Sequence, residues 1–127
     1  MDRLGKAVPP RRDTAWDMAV VHDVATGLTW QEAVAAEPYT WNDAKAYCSG
    51  LSGGWRLPSV AELQTIVEEA SVPSAIDPRA FPDTPGAVFW TSSPVAGQPT
   101  YAWGIDFSNG VTINPDLSGQ NWVRCVR

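Results

Sequence analysis

Two cysteines are the residues of this 127-residue chain whose type and spacing bear most directly on chemistry. Cys48 lies in an early helical pattern and Cys125 two residues from the end, 125 − 48 = 77 positions apart. If they pair, the bridge ties the first helix to the last strand. Closing so long a loop contributes roughly 4 kcal/mol by constraining the unfolded chain, comparable with the net stability of a small domain. The alternative is two buried free thiols. Other chemistry is thinly supplied. The single histidine, His22, stands beside Asp23 on a short early strand with no Gly-x-Ser-x-Gly elbow to make a nucleophile, and reads as a surface or edge-strand residue. One His and two distant Cys do not make a standard zinc site. Asp77, Asp83, Asp106 and Asp116 fall in or beside expected loops and leave room for a structural calcium, though none belongs to an EF-hand-like run. No catalytic set, metal site or other cofactor is expected.

Net charge is −5 and the isoelectric point about 4.6. Nucleic acid, which demands clustered Lys and Arg, is therefore not an expected partner. A polybasic membrane patch is absent, and no apolar run reaches membrane-spanning length. The length suits one domain. Hydrophobic residues make up 44% and charged residues 18%, a globular balance. Seven tryptophans (Trp16, Trp30, Trp41, Trp55, Trp90, Trp103, Trp122) supply large buried areas for a loop-rich core. Exposed ones would be sugar-stacking or protein-contact surfaces.

The elements that must position these residues follow from periodicity. Residues 1–15 read as a flexible N-terminal arm and 16–127 as a single domain. Met18–Asp23 and Leu28–Trp30 form two short strands about a turn at Ala25-Thr26-Gly27. A helix runs from about Trp41 to Leu51, with Thr40 as N-cap, Asp43 completing a box-like cap, and Ala44, Tyr47, Cys48 and Leu51 as its apolar stripe. Gly53-Gly54 ends it. A second helix starts after Pro58, with Ser59 and Glu62 as capping box and Leu63, Ile66, Val67 and Ala70 as stripe. Residues 71–86 form a proline-rich ordered loop anchored by Ile76 and Phe81. Val88–Thr91 is a buried strand. Tyr101, Trp103, Ile105 and Phe107 alternate with Ala102, Gly104 and Asp106 at a period of two. Asn109-Gly110 supplies a two-residue hairpin signal before Val111–Ile113. A polar loop, Asn114–Gln120, leads to a final strand, Asn121–Arg127. The class is α+β.

Several stretches carry a family resemblance. They are Asp23-Val24-Ala25-Thr26-Gly27-Leu28-Thr29-Trp30, Trp41-Asn42-Asp43-Ala44 with Tyr47-Cys48, and Gly53-Gly54-Trp55-Arg56-Leu57-Pro58 followed by Glu62-Leu63. Phe89-Trp90-Thr91-Ser92-Ser93, Ala102-Trp103 with Phe107, and Val123-Arg124-Cys125-Val126-Arg127 complete the set. In this order they resemble the DUF1566 family, which includes the C-terminal domain of the Legionella collagen-like adhesin. The resemblance implies a loop-rich C-type-lectin-like fold: two helices packed on a twisted antiparallel sheet, with one disulfide from Cys48 on the first helix to Cys125 on the last strand. Most of the motifs serve as scaffold. Arg56 is expected to pair with a carboxylate or with backbone carbonyls, and Trp90 and Trp103 to lie in the core of the sheet.

The resemblance also implies a non-enzymatic, secreted or cell-surface recognition and adhesion module. Its ligand face would be built from late strands and loops, here Gln98, Thr100, Tyr101, Asn114, Asp116, Ser118, Gln120 and Asn121, holding a carbohydrate or protein. The polar stretch from Met1 to Arg12 is not a signal peptide, so export would be as a mature form, fragment or module of a larger protein. Sulfated glycosaminoglycans, associated with the Legionella adhesin, do not suit an acidic chain. The calcium-dependent sugar loop is also missing: Gln98-Pro99-Thr100 lacks its carboxylate, and Trp41-Asn42-Asp43 lies at a helix start. The other expectation is a structural or assembly module of a larger bacterial surface protein or fibre.

Overall fold

The computed structural model describes residues 4–7, 19–68 and 75–127, with side chains for the last two stretches. The described elements, in chain order, are β1 (Leu4–Ala7), β2 (Val20–Asp23), β3 (Thr29–Gln31), α1 (Trp41–Ser49), α2 (Val60–Gln64), β4 (Val88–Val95), β5 (Gln98–Asp106) and β6 (Val111–Ile113). They form two three-stranded antiparallel sheets, β1-β2-β3 and β4-β5-β6, an α+β architecture. Leu4–Ala7 falls within the stretch expected to be a flexible arm, yet it pairs with β2 from Leu4↔Asp23 to Ala7↔Val20. The edge of β2 offers unpaired backbone groups, and an extended tail satisfies them. The remainder of the expected arm, and Trp16, lie outside the described residues.

The C-terminal segment joins the sheets. It is extended, but single bridges replace the expected continuous strand: Tyr39↔Asn121, Phe89↔Trp122, and Val126 with both Trp30 and Arg56. Thr29 and Arg127 exchange both backbone hydrogen bonds, at 2.7 and 2.9 Å, and so do Arg56 and Val126, at 2.9 and 2.8 Å. Trp122 donates to Val88 O while its own carbonyl accepts from Trp90 N, both at 2.9 Å. The Cys48–Cys125 disulfide fastens this segment to α1, with the two Cα atoms 5.6 Å apart. Both cysteines are fully buried.

Burial divides into two clusters. Phe89, Ile105 and Phe107 pack with Trp30, Leu63, Ile66, Ile76 and Phe81. Trp90 and Ala102 pack with the disulfide, Trp55, Leu57 and Val123. Opposite faces of β4 and β5 supply the two clusters, since neighbouring strand residues point to opposite sides. The anchors expected in the 71–86 loop, Ile76 and Phe81, are each 1% exposed.

Caps and turns depart from expectation in three places. Thr40 makes no side-chain cap; instead the first N–H of α1, on Trp41, donates to Leu117 O at 3.2 Å. The second cap forms in full, with Ser59 Oγ accepting from Glu62 N and Glu62 accepting from Ser59 N. That helix nevertheless stops at Gln64. Thr65 Oγ1 donates back to Glu62 O at 2.6 Å, and the β-branched run Thr65-Ile66-Val67 tightens into i→i−3 bonds. Ala70 lies outside the described residues. The β5–β6 hairpin closes with four residues rather than two, because Asp106 pairs with Val111. Phe107, 1% exposed, enters the core and pulls the chain out of the ladder, and Gly110 completes the turn at φ 80°.

Polar groups hold the irregular segments. Thr91 O accepts from Trp41 Nε1 at 2.8 Å, Pro58 O accepts from Ser92 N at 2.7 Å, and Ser93 Oγ accepts from Val60 N at 2.9 Å. The Thr91-Ser92-Ser93 bulge thus secures the starts of both helices. Arg124 is 1% exposed. Its Nη2 donates to Glu32 O at 3.1 Å and to Thr84 Oγ1 at 3.0 Å, and the guanidinium lies 4.5 Å from the Phe81 ring centre. Burial works against its charge, with Glu32 opposing that effect.

Three expectations follow. Replacing both cysteines with serine lowers unfolding free energy by roughly 4 kcal/mol, read from urea denaturation. Arg124→Ala costs about 3 kcal/mol through a cavity and stranded acceptors, whereas Arg124→Met, which refills the volume, costs less in the same assay. Arg56 forks onto Glu62 at 2.7 and 2.8 Å. That hydrogen bonding, helped by Ser59 and opposed by burial, holds the Glu62 carboxyl at about 2 against an ordinary 4.5. A depressed carboxylate stabilises fully above its unfolded value, and the contribution is lost as pH falls from about 4.5 towards 2. Glu62→Gln removes that part of the acid limb, measured as melting temperature against pH.

Candidate functional site

Strand β5 and the segment after β6 form the surface on which the expected ligand residues meet. Gly104↔Ile113 and Ile105↔Thr112 set the β5–β6 register, and the Tyr101↔Asp116 bridge continues it beyond β6. Two further backbone bonds span the same gap, Ala102 N to Pro115 O at 3.3 Å and Leu117 N to Thr100 O at 2.9 Å. The register places Asn114 beside Trp103 and Asp116 beside Tyr101, on one face of the sheet. Ala102 and Gly104 point to the opposite, buried face. Gly104 permits close approach there: a Cβ would stand 3.0 Å from Phe89 O and from Val88 Cγ1, tighter than ordinary contact.

Of the expected residues, Tyr101, Asn114 and Asp116 share this face with Trp103, and Ser118 is bonded to Asp116, whereas Thr100 alternates to the face of Ala102 and Gly104. Gln98 and Thr100 are not in a loop as expected. They belong to β5, because Ala96-Gly97 closes a tight hairpin in which Val95 pairs with Gln98, and Gly97 takes φ 76°. Tyr101 is likewise a strand residue. Gln98 therefore sits at the hairpin end of the strip. Gln120 is exposed, while Asn121 is drawn back by paired backbone bonds to Tyr39, each 2.9 Å.

Trp103 was expected in the core of the sheet and is instead half-buried. Trp30, Trp55 and Trp90 lie in the two clusters and Trp41 and Trp122 pack against them, but Tyr101 and Trp103 join neither. Among the described residues, neither aromatic makes a side-chain hydrogen bond. The two stand two residues apart on one strand, roughly 7 Å along it. The period-two pattern grouped them with Ile105 and Phe107, but among the described residues only the latter pair joins the cluster with Leu63, Ile66, Ile76 and Phe81.

The polar groups are ordered by local bonds. Asp116 Oδ1 accepts from Ser118 N at 2.8 Å and Ser118 Oγ at 2.6 Å. These bonds hold its carboxyl below the usual range, so it is ionised at neutral pH. Asp106 and Ser108 repeat the arrangement at the other hairpin. Asp77 caps the turn at Arg79, and Asp83 lies at φ 59°. No group of three or more His, Cys, Asp or Glu among the described residues is arranged to hold a metal. His22 is exposed, its Nδ1 3.0 Å from Thr29 Oγ1.

Two clefts among the described residues lie elsewhere. A cleft of about 360 Å³ separates residues 32–35 from Pro82, Asp83 and Pro85, with Trp122 in its wall. Another of about 370 Å³ is lined by Lys45, Ser49, Arg56, Leu57 and Ser92. None of the expected ligand residues lines either one. No described helix is long and apolar enough to cross a membrane.

No curated protein matches the chain. The family model of the Lcl C-terminal domain, however, covers residues 19–127, from the strand before the first hairpin to the cysteine-bearing terminal segment. The chain therefore belongs to the Lcl C-terminal domain family.

Proposed function

We propose that this is a non-enzymatic recognition domain, displayed at a cell surface or secreted, that takes a carbohydrate or protein ligand on the strip formed by β5 and residues 114–118. The observation that carries the reading is the pair Tyr101 and Trp103, two half-buried aromatics that join neither core cluster among the described residues. Beside them lie Asn114 and Asp116, whose side chains supply hydrogen-bonding groups. Aromatic faces with adjacent polar groups are characteristic of binding surfaces. Membership of a family named for an adhesin's C-terminal domain agrees with surface display, and a buried disulfide suits an oxidising compartment. We read the architecture as C-type-lectin-like, with two short helices, two small sheets and a C-terminal segment bonded to β3.

A second reading is an assembly module. Strand β6 is an edge of its sheet, and Val111 on it is 52% exposed, a combination that invites strand pairing. Light scattering separates the two: a defined oligomer dispersed by Val111→Lys supports assembly, and a monomer supports recognition alone.

The recognition reading predicts that Asn114→Ala with Asp116→Ala leaves a folded domain, read from circular dichroism and melting temperature, while abolishing capture on an array of glycans and surface proteins. Undiminished capture by this double variant would remove the site from consideration.

A further inference from the structure

The charges around the β5 strip narrow what it can hold. The described side chains include five cations, and each is engaged away from the strip. Lys45 lies 3.6 Å over the Trp41 ring, Arg56 is forked onto Glu62, and Arg79 is paired with Asp77. Arg124 is buried, and Arg127 stacks 4.5 Å over Trp55 while donating to Gly53 O. The charged group on the strip is Asp116, fixed as a carboxylate. An anionic sugar bearing sulfate or carboxylate would meet repulsion there with no described cation to offset it.

What the strip offers is a different chemistry. Tyr101 and Trp103 present aromatic side chains in succession along β5, suited to the weakly polarised C–H faces of pyranose rings. Asp116 Oδ1 is occupied by Ser118, which leaves Oδ2 as an acceptor for ring hydroxyls. Asn114 brings one acceptor and two donors, and its side chain is bonded to no described residue. Further along the same face, Gln64 Nε2 donates to Thr112 Oγ1 at 3.0 Å, continuing the polar border from β6 to α2. The exposed aliphatic Val111 belongs to the opposite face, since it pairs with Asp106. The strip therefore lacks the greasy rim of a protein–protein hot spot.

Building on the recognition reading above, we infer that the ligand is a neutral saccharide, stacked on Tyr101 and Trp103 and oriented by Asn114 and Asp116. Trp103 is its principal anchor, because the indole offers the largest face.

The test is titration of the intact, disulfide-bonded domain with neutral gluco-, manno- and galacto-oligosaccharides, with dextran sulfate and polygalacturonate as anionic probes, followed by tryptophan fluorescence. At least one neutral oligosaccharide should bind with a blue shift, and the affinity should be insensitive to added salt. Trp103→Ala should weaken binding about tenfold or more, and Trp103→Phe should restore part of it. Asp116→Asn, which keeps an acceptor but removes the charge, should retain neutral binding and admit the anionic probes. Far-ultraviolet circular dichroism and the melting temperature confirm that each variant folds. Binding confined to anionic probes, or neutral binding indifferent to Trp103→Ala, overturns the inference. If a purified protein ligand proves sensitive to Trp103→Ala while no neutral sugar binds, the recognition surface stands and the saccharide assignment falls. If neither type of ligand depends on this strip, both fall.

Discussion

Residues 121–127 run antiparallel beside β3 on one side and reach Arg56 on the other, and the Cys48–Cys125 bond holds them there. This placement is the constraint on which the other packing rests. β3 has three residues, α2 has five, and β6 has three; none is long enough to be stable alone. Each gains stability by burying one side against a neighbour that the terminal segment positions. Trp122, bonded to Val88 and Trp90, carries the effect into the second sheet. The covalent link limits the separation of these parts even in the unfolded chain, so the entropy of assembling many short elements is reduced.

The interior is unusually dependent on polar ties. The Thr91-Ser92-Ser93 bulge accepts from the Trp41 indole at the start of α1 and, through Ser93 Oγ, from Val60 N at the start of α2, where a helix N–H would otherwise lack a partner. Arg124 does the same for the irregular segments around Glu32 and Thr84. Both devices replace regular secondary structure as the means of satisfying backbone groups in a domain with eleven prolines. They also explain why so much loop can stay ordered beside a small core.

The proposed binding surface follows from the same economy of elements. Among the described residues, Leu63 of the five-residue α2 packs in one cluster with Ile105 and Phe107, and Tyr101 and Trp103 are not in it. One strand therefore contributes core at its C-terminal half and a recognition surface at its N-terminal half, with no change in its alternation. The rigid ladder from Tyr101↔Asp116 to Asp106↔Val111 fixes the spacing of aromatic and polar groups. A surface built on paired strands loses less entropy on binding than a mobile loop.

Local patterns in the chain were enough to determine the α+β class, the helical stripe carrying Cys48, the Ser59–Glu62 cap and the alternation of β5, because each depends on residues a few positions apart. The resemblance carried by the motifs between Asp23 and Arg127 implied the disulfide, and of the two partners expected for Arg56, a carboxylate or backbone carbonyls, its guanidinium takes the carboxylate of Glu62. The four-residue hairpin at Phe107 and the uncapped Thr40 were not legible, since each local preference yielded to a distant partner, the core and the carbonyl of Leu117; the early end of α2 instead follows from a local bond, Thr65 Oγ1 to Glu62 O, that outweighs the apolar stripe. The fate of Trp103 was hidden for the same reason. Its strand face is written in the sequence, but exposure on that face depends on where another element stops. Only the tertiary arrangement could decide that, because burial belongs to the neighbour as much as to the residue.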